Sequence, residues 1–496
     1  MSAAIDWRAE ASRLTFRAQA FIDGKYADAI SGKTFDCTSP VDGAVLARVA
    51  ACDAADVDRA VNAARTAFND GRWAGESPKN RKRVLVRFAE LIQKNANELA
   101  LLETLDMGKP ILNARHGDVR AVTECVRWYG EAIDKIYDEI APTPRNALAL
   151  IMREPIGVVA AVVPWNFPLL MAAWKFAPAL AAGNSVVLKP AEQSPLSALR
   201  VAELAAEAGI PAGVFNVVPG FGESAGQALG RHMDVDTLAF TGSTEVGKLF
   251  LKYSAESNMK SVSLECGGKT PNIVFADSPD LDDAAKGAAD GIFYNSGQVC
   301  DAASRLLVEA SIHDEFLSKV ASLAKRYQPG DPLSERTQMG AMVDATQTKR
   351  VLAFIDKGKE EGAKLTLGGK QVRQETGGYY IEPTIFDAVD NHMTIAREEI
   401  FGPVLSAITF KTEEEAVKLA NDSKYGLEAN LWTNNLSKAH SIARALRAGT
   451  VTVNTRDGGG IEVPFGGYKQ SGFGRDKSLH AFHKYTQLKT TYIKIS

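Results

Sequence analysis

The stretch Val158-Val-Ala-Ala-Val-Val-Pro-Trp-Asn-Phe-Pro168 opens the pattern that decides the fold. Its apolar run, Val158–Val163, reads as a buried strand. A tight turn then leads into a helical run, Leu169–Ala182. The same alternation repeats downstream. Ser185–Leu188, Val214–Val218 and Thr237–Phe240 read as strands, and Ala198–Ala208, Ser224–Leu229 and Glu245–Ser254 as helices. Strand–helix units of this size build a parallel sheet covered on both faces, whose ligands lie beyond the carboxyl ends of the strands.

Working outward, residues 53–140 carry amphipathic helical runs such as Asp56–Phe68 and Asn80–Leu105. A second alternation begins at Ser261–Leu264 and Asn272–Phe275. It continues through helices near 281–295, 313–326 and 345–361 and strands near Arg305–Val308, Val404–Thr409 and Thr450–Asn454. This predicts a second α/β domain. Tyr485–Ile495 alternates apolar and polar and reads as an edge strand, suited to an oligomer arm because an unpaired edge invites pairing.

The chain of 496 residues allows two or three domains. At 45% hydrophobic and 24% charged, with a net charge of −3 and no basic block, it shows no nucleic-acid footprint. The five cysteines are scattered and form no Cys-x-x-Cys pair, which points away from disulfides and zinc and toward a reducing, cytoplasmic setting. The N-terminus mixes charges early and has no apolar signal core. Pro155–Trp174 lacks charge and is about bilayer length, but Pro155, Pro164, Pro168 and Asn166 interrupt it. It reads as strand, turn and helix start, so no membrane partner is expected.

Three glycine-rich turns follow predicted strands. Pro219-Gly-Phe-Gly-Glu-Ser-Ala-Gly226 nearly matches a dinucleotide fingerprint with Gly222, but Ala225 holds the third position and Gly226 comes one later. Phe240-Thr-Gly-Ser-Thr-Glu-Val-Gly-Lys248 has the spacing of a phosphate loop through Gly242 and Gly247, but Leu249 stands where magnesium needs a hydroxyl. A kinase reading fails there. What survives is a helix N-terminus, with Ser243, able to hold a pyrophosphate. In Ser263-Leu-Glu-Cys-Gly-Gly-Lys269 an acid precedes a flexible pair. This fits either a carboxylate that swings or a glycine corner with a surface glutamate.

Other residues carry candidate chemistry. Asn166 sits just past a strand, where its amide can donate to an oxyanion or merely form a turn. Lys189 ends a strand and can contact ribose or phosphates. Glu192 can accept from a ribose 2′-hydroxyl and would repel a 2′-phosphate, favouring NAD over NADP. The run Asn295-Ser-Gly-Gln-Val-Cys-Asp-Ala-Ala-Ser-Arg305 sets Cys300 among small and polar residues. A nucleophile needs such room and nearby donors for its thiolate. His480 and His483 lack a Cys or carboxylate cluster and read as a solvated helix face, so no metal is expected.

In combination, Val163-Pro-Trp-Asn-Phe-Pro168, Lys189-Pro-Ala-Glu192, Phe240-Thr-Gly-Ser243, Leu264-Glu-Cys-Gly-Gly268, Gly297-Gln-Val-Cys300, Glu398-Glu-Ile-Phe-Gly-Pro403 and Pro464-Phe-Gly-Gly-Tyr-Lys469 resemble the NAD(P)-dependent aldehyde dehydrogenase superfamily, in family order from about residue 20 to the C-terminus. The resemblance implies an α/β fold with a Rossmann-type parallel cofactor-binding sheet, a second α/β catalytic domain and a small β oligomerisation arm. It implies a discontinuous NAD-binding domain over 1–128 and 152–262, a catalytic domain over 263–474, and an arm over 129–151 and 475–496. It makes Cys300 the nucleophile, Glu265 the general base and Asn166 an oxyanion donor beside the Cys300 N–H. It assigns Trp165, Lys189, Glu192, Gly222, Gly226, Gly242, Ser243, Gly247, Glu399 and Phe401 to NAD, and a homo-oligomer, a dimer of dimers, to the assembly.

The chemistry asks for the same roles. An aldehyde has no leaving group, so a cysteine adduct, an oxyanion donor, a two-electron acceptor and a base for water divide one hard oxidation into two easier steps. Cys266 departs from the family pattern, in which leucine commonly follows the glutamate, and reads as packing. Around Cys300 the expected substrate contacts are Asp301, Asp457 and Asp118 with Phe167, Met171, Trp174 and Phe465. Asp118 matches a position that is acidic in aminoaldehyde-oxidising relatives. Acids beside aromatics favour a cationic ω-amino or guanidino aldehyde. The C-terminal run from Pro464 to His480 is similar to bacterial γ-glutamyl-γ-aminobutyraldehyde and 4-guanidinobutyraldehyde dehydrogenases. The rival readings are a broad aliphatic aldehyde dehydrogenase, a CoA-acylating enzyme, which needs no base for water, and a non-catalytic binding protein.

Overall fold

The computed structural model of the protein describes residues 5–495. The first four residues of the expected NAD-binding unit and of the charged N-terminal reading, and Ser496 of the arm, lie outside the described residues. The largest sheet has eight strands, in the order Lys25–Ala27, Ala20–Ile22, Phe215–Val217, Ser185–Lys189, Val158–Val162, Thr237–Gly242, Ser261–Cys266, Gly472–Phe473. The five strands from Phe215–Val217 to Ser261–Cys266 run parallel, and antiparallel strands close both edges. In chain order these five follow 3-2-1-4-5. The switch point, where a ligand crevice opens, therefore falls between Val158–Val162 and Thr237–Gly242.

These strands are buried along nearly their whole length, as a sheet sandwiched between helices requires. Helix Pro168–Ala182 takes Pro168 in its first turn and ends at Gly183, in the left-handed region at φ +102°. It tolerates Pro178 inside and buries one charge, Lys175. Helix Ala54–Asn69 opens with a capping box, Asp53 and Asp56 each accepting an N–H from the other's turn. The stretch expected as one helix at Ser224–Leu229 is a wide turn, Gly222–Gly226, followed by Gln227–Arg231.

A second sheet of seven strands runs Lys364–Leu367, Thr384–Asp387, Val404–Phe410, Arg305–Glu309, Pro271–Val274, Glu428–Trp432, Thr450–Val453, all parallel except the first. Strand Glu428–Trp432 escaped the sequence reading because Glu428 and Asn430 break its apolar pattern. In a third sheet Thr486–Lys494 pairs antiparallel with Ala147–Pro155, which also pairs with Glu139–Ala141. Strand Ala147–Pro155 crosses the boundary expected at 151/152, and Ser261–Cys266 crosses that at 262/263. Gly472–Phe473, placed above in the catalytic unit, adds to the first sheet. Among the described residues no helix is long and apolar enough to cross a membrane.

Candidate active site

The carboxyl edge of the first sheet faces the amino edge of the second. Past Val162 come Trp165 and Asn166, and past Gly242 comes Ser243. Glu265 lies near the end of its strand, while Cys300 precedes strand Arg305–Glu309. One cavity between these edges is lined by Cys300, Glu265 and Asn166 together. Trp165, Gly242, Ser243, Glu399 and Phe401 line it too, as do Met171, Trp174 and Phe465. Eleven predicted residues thus meet in one space, drawn from segments up to some 300 positions apart.

The loop before Cys300 is held in an unusual conformation. Asn295, Ser296 and Gly297 all have left-handed φ, +50°, +56° and +70°. Such strain persists only where the surroundings fix it. Asn295 Nδ2 donates to the Asn166 and Gln298 carbonyls, at 3.1 and 3.2 Å. The fully buried Gln298 donates to the Asn295 and Ala341 carbonyls and accepts from the Val343 N–H. Asn166 Nδ2 donates to the Gln298 carbonyl at 2.9 Å. A carboxamide nitrogen carries two N–H groups, so a second remains beside Cys300. Asn295 and Gln298 were quoted in the motif but given no role. Two amide side chains in a run otherwise built of small residues were the available signal.

Glu265 is buried, and neither carboxyl oxygen has a partner among the described residues. Burial, then nearby Asp476, pushes its pKa well above the usual carboxylate range, against the pull of Lys175 and Lys484. Behind it Lys175 and Lys484 both pair with buried Asp476. Lys175 was the sole charge in an apolar helix, a legible sign of a buried partner, but the partner lies 301 positions on. The glycines after Glu265 serve close packing as well as freedom. A Cβ on Gly267 would overlap the Glu399 carboxylate at 2.0 Å, and one on Gly268 would sit 2.7 Å from the Cys300 carbonyl oxygen.

Cys300 is half-buried. Burial, then Asp301, Glu399, Glu265 and Glu428, pushes its thiol well above the ordinary range. The donors expected to lower it are replaced by carboxyl groups, so the thiol rests protonated and needs a base. Cys266 also lines the cavity, and burial and Glu265 push it up to about 12. Its Sγ fills the space where a Gly247 Cβ would stand, 3.0 Å away, which agrees with a packing role.

The remaining cofactor candidates lie along the same sheet edge. Ser243 caps helix Thr244–Ala255 by accepting the Val246 N–H. Lys189 Nζ donates to Glu192 at 3.2 Å and to the Pro190 carbonyl. Gly226 lies against the Lys189 chain, with open space around Gly222. The demanding glycine of that turn is Gly220, where φ is +157° and a Cβ would meet the Cys52 carbonyl oxygen at 2.6 Å. Glu399 accepts the Gly268 N–H at 3.2 Å, and burial pushes it up to about 7. Trp165 and Phe401 pack edge to face at 5.2 Å, with Phe401 left-handed at φ +60°. Gln347 and Arg350 also line this cavity and were not foreseen.

On the other side of Val299 a larger cavity, about 730 Å³, is lined by Tyr294, Val299 and Asp457, with Asp290 and Arg456. Of the expected substrate contacts, Asp301 and Phe167 line neither cavity, and nor does Asp118. Asp118 is buried and paired with Lys109, whose ammonium lies 3.8 Å above the Phe167 ring. Phe167 in turn stacks on Tyr294. His480 and His483 sit in the short turn Leu479–Lys484, their rings 5.9 Å apart.

Residues 26–491 match the aldehyde dehydrogenase family. The chain is similar to "NADP/NAD-dependent aldehyde dehydrogenase PuuC" of Escherichia coli, 53% identical over 99% of this chain and 98% of the relative. The solved γ-glutamyl-γ-aminobutyraldehyde dehydrogenase of Burkholderia cenocepacia is 58% identical, with TM-score 0.98 and 99% of both chains covered. An indole-3-acetaldehyde dehydrogenase of P. syringae, solved as a Cys-to-Ala mutant with NAD+ and IAA, is 60% identical, with the same TM-score and coverage. Motif order, sheet order and matched length agree: this chain belongs to the aldehyde dehydrogenase family.

Proposed function

We propose that the chain oxidises an aldehyde to a carboxylic acid at Cys300, with NAD as electron acceptor. The observation that carries this reading is the placing of Cys300, the free Asn166 N–H and the unpartnered Glu265 carboxyl in one cavity. Glu265 as carboxylate takes the thiol proton. Sγ then bonds the aldehyde carbon, and the carbonyl electron pair moves onto oxygen, which accepts from Asn166 and the Cys300 N–H. When bound, NAD supplies the two-electron acceptor that turns this adduct into a thioester. Glu265 releases the thiol proton to solvent and next deprotonates water; the hydroxide bonds the thioester carbon, the S–C bond breaks, and the thiolate regains a proton from Glu265 as the acid leaves. The base distinguishes this reading from CoA acylation.

The residues fit the cofactor. The buried Thr241 hydroxyl has no partner, Ser243 opens a twelve-residue helix, and Lys189 and Glu192 form a polar pair on the same edge. A helix N-terminus leaves N–H groups for a pyrophosphate. Lys189 and Glu192 would hold the ribose, Gly222, Gly226, Gly242 and Gly247 the phosphate turns with Ser243, and Glu399, Phe401 and Trp165 the nicotinamide end.

We take the substrate to be an ω-amino, guanidino or γ-glutamylamino aldehyde. Asp457 in the larger cavity and the aromatic wall of Trp174 and Phe465 in the smaller, whose rings lie 5.4 Å apart, support this, as do the relatives named for γ-glutamyl-γ-aminobutyraldehyde and aminoacetaldehyde. The relative named for indole-3-acetaldehyde favours the alternative, a broader aldehyde range with an aromatic wall. We also take the three sheets as NAD-binding, catalytic and oligomerisation units of a cytoplasmic dimer of dimers. Strand Thr486–Lys494 pairs along one edge only and exposes Leu488, Tyr492 and Ile493. A panel of 4-guanidinobutyraldehyde, 4-aminobutyraldehyde and butyraldehyde, followed by NADH absorbance, tests the substrate. A higher kcat/KM for the cationic aldehydes supports the reading, and preference for butyraldehyde overturns it.

A further inference from the structure

Helix Ala96–Met107 ends in the run Leu99-Ala-Leu-Leu-Glu-Thr-Leu-Asp-Met107, which sets two acids among apolar residues. Glu103 and Asp106 are both fully buried, and their i, i+3 spacing puts them on one helix face. A carboxyl group taken out of water needs donors to offset its desolvation. Here the donors come from the starts of two other helices. Glu103 Oε1 accepts the Leu169 N–H at 2.8 Å and the Ser197 hydroxyl at 3.2 Å. Asp106 Oδ2 accepts the Leu196 N–H at 3.1 Å.

Neither helix start has a side-chain cap of its own. Helix Pro168–Ala182 follows Phe167, which offers no acceptor, and Pro168 has no N–H, so Leu169 carries the first one. Helix Leu196–Ala208 follows Pro195, which offers none either. Glu103 thus supplies, from 66 positions upstream, the oxygen that a Ser or Asp before Pro168 would ordinarily give. Through Ser197 it also ties the first turns of the two helices together.

The residue carried on that turn links the cap to the reaction. Asn166 lies between strand Val158–Val162 and Pro168, and the backbone around it is pinned on each side. The buried Ser194 hydroxyl donates to the Trp165 carbonyl at 3.2 Å, and Asn295 Nδ2 to the Asn166 carbonyl at 3.1 Å. The Met171 N–H donates to the Phe167 carbonyl at 2.9 Å, which locks the chain leaving Asn166 into the helix. A shift of the first helical turn therefore carries Asn166 with it. An oxyanion donor has little room for such a shift, since it acts at about 2.7–3.1 Å from the developing charge.

We propose that Glu103 is a positioning residue for the oxyanion donor: its carboxyl caps helix Pro168–Ala182 from a neighbouring helix and so fixes the Asn166 amide against Cys300. Glu103 itself lines neither cavity. The inference rests on the reading of Asn166 as oxyanion donor.

The test is a double-variant cycle on purified full-length enzyme: wild type, Glu103→Met, Asn166→Ala and Glu103→Met/Asn166→Ala, with Glu103→Gln beside them. Each is assayed for kcat and for KM with butyraldehyde and with NAD. Methionine fills the space without an acceptor. Glutamine keeps one, and both bonds to Glu103 fall on a single oxygen. Glu103→Met is expected to lower kcat by about tenfold with both KM values changed less than about twofold, while Glu103→Gln keeps kcat within about twofold of wild type. In the Asn166→Ala background the same methionine changes kcat less than about twofold, because the donor it would misplace is gone. A merely structural glutamate would lower kcat by one factor in both backgrounds. That equal loss, an unchanged kcat in Glu103→Met, or no rescue by glutamine overturns the proposal. Should Glu103→Met fail to fold, Glu103→Asp, which draws the oxygen back by one methylene, takes its place in the cycle, and its kcat loss must again vanish without Asn166. Full kcat in Asn166→Ala alone would instead overturn the reading of Asn166 as oxyanion donor.

Discussion

The two cavities that meet at Val299 and Cys300 are built differently. The smaller one is framed by backbone: the ends of strands Val158–Val162, Thr237–Gly242 and Ser261–Cys266, with glycines where Glu399 or the Cys300 carbonyl comes too close for a side chain. The larger one is framed by side chains from loops and helices, Asp290, Tyr294, Arg456 and Asp457 among them. Backbone geometry tolerates few substitutions, because each demands a particular residue in a particular turn. Side-chain walls can be exchanged singly while the fold stands. The difference teaches that the reaction is set by the smaller cavity, while the choice of aldehyde is divided between its wall of Met171, Trp174 and Phe465 and the charged side chains of the larger one.

Breaking the reaction side should give the largest effects. Cys300→Ala should abolish NADH formation with every aldehyde, whereas Cys266→Ala keeps most turnover, both read by absorbance at saturating NAD. Glu265→Gln should lower kcat by about 10²–10⁴-fold. Because Glu265 and Cys300 both rest protonated, wild-type kcat/KM should climb as pH rises from 6 to 9, and the glutamine variant should flatten the part of that rise due to Glu265. A wild-type profile that falls over this range would contradict the assigned base. Asn166→Ala should cost about 10²–10³-fold in kcat, the usual effect of one lost oxyanion donor, with little change in KM.

Changes on the other side should be smaller and should fall on KM. Asp457 is exposed, and one solvated charge contributes about 0–1 kcal/mol. Asp457→Asn should therefore raise KM for 4-guanidinobutyraldehyde by no more than about fivefold and leave butyraldehyde unchanged. An equal effect on both substrates would blur the division between the two cavities.

The reaction side was also the more legible in sequence. An apolar run ending in Trp165 and Asn166, a strand ending in Gly242 and Ser243, and an acid before two glycines are local patterns. The parallel sheet then brings their ends together. What stayed hidden depends on distant partners. Asp118 looked available to substrate until Lys109 was seen to neutralise it. Strand Glu428–Trp432 went unread, so the burial of Glu428 shows only with that strand in place between Pro271–Val274 and Thr450–Val453. The carboxyl groups that raise the Cys300 thiol come from four separate segments, so the run around it suggested a more acidic thiol than the fold produces. Gly267 and Gly268 were rightly marked as special, but close packing was invisible without their neighbours.

The central claim is that Cys300 carries the aldehyde carbon as a thioester. Its most direct test is peptide mass spectrometry of acid-quenched Glu265→Gln enzyme after prolonged reaction with NAD and aldehyde at pH 9, which raises the small thiolate fraction in the absence of the base. The account predicts the substrate's acyl mass on the peptide containing Cys300 and none on that containing Cys266. NADH formed in step with the enzyme while Cys300 stays unmodified, or an acyl group on Cys266 instead, would contradict it.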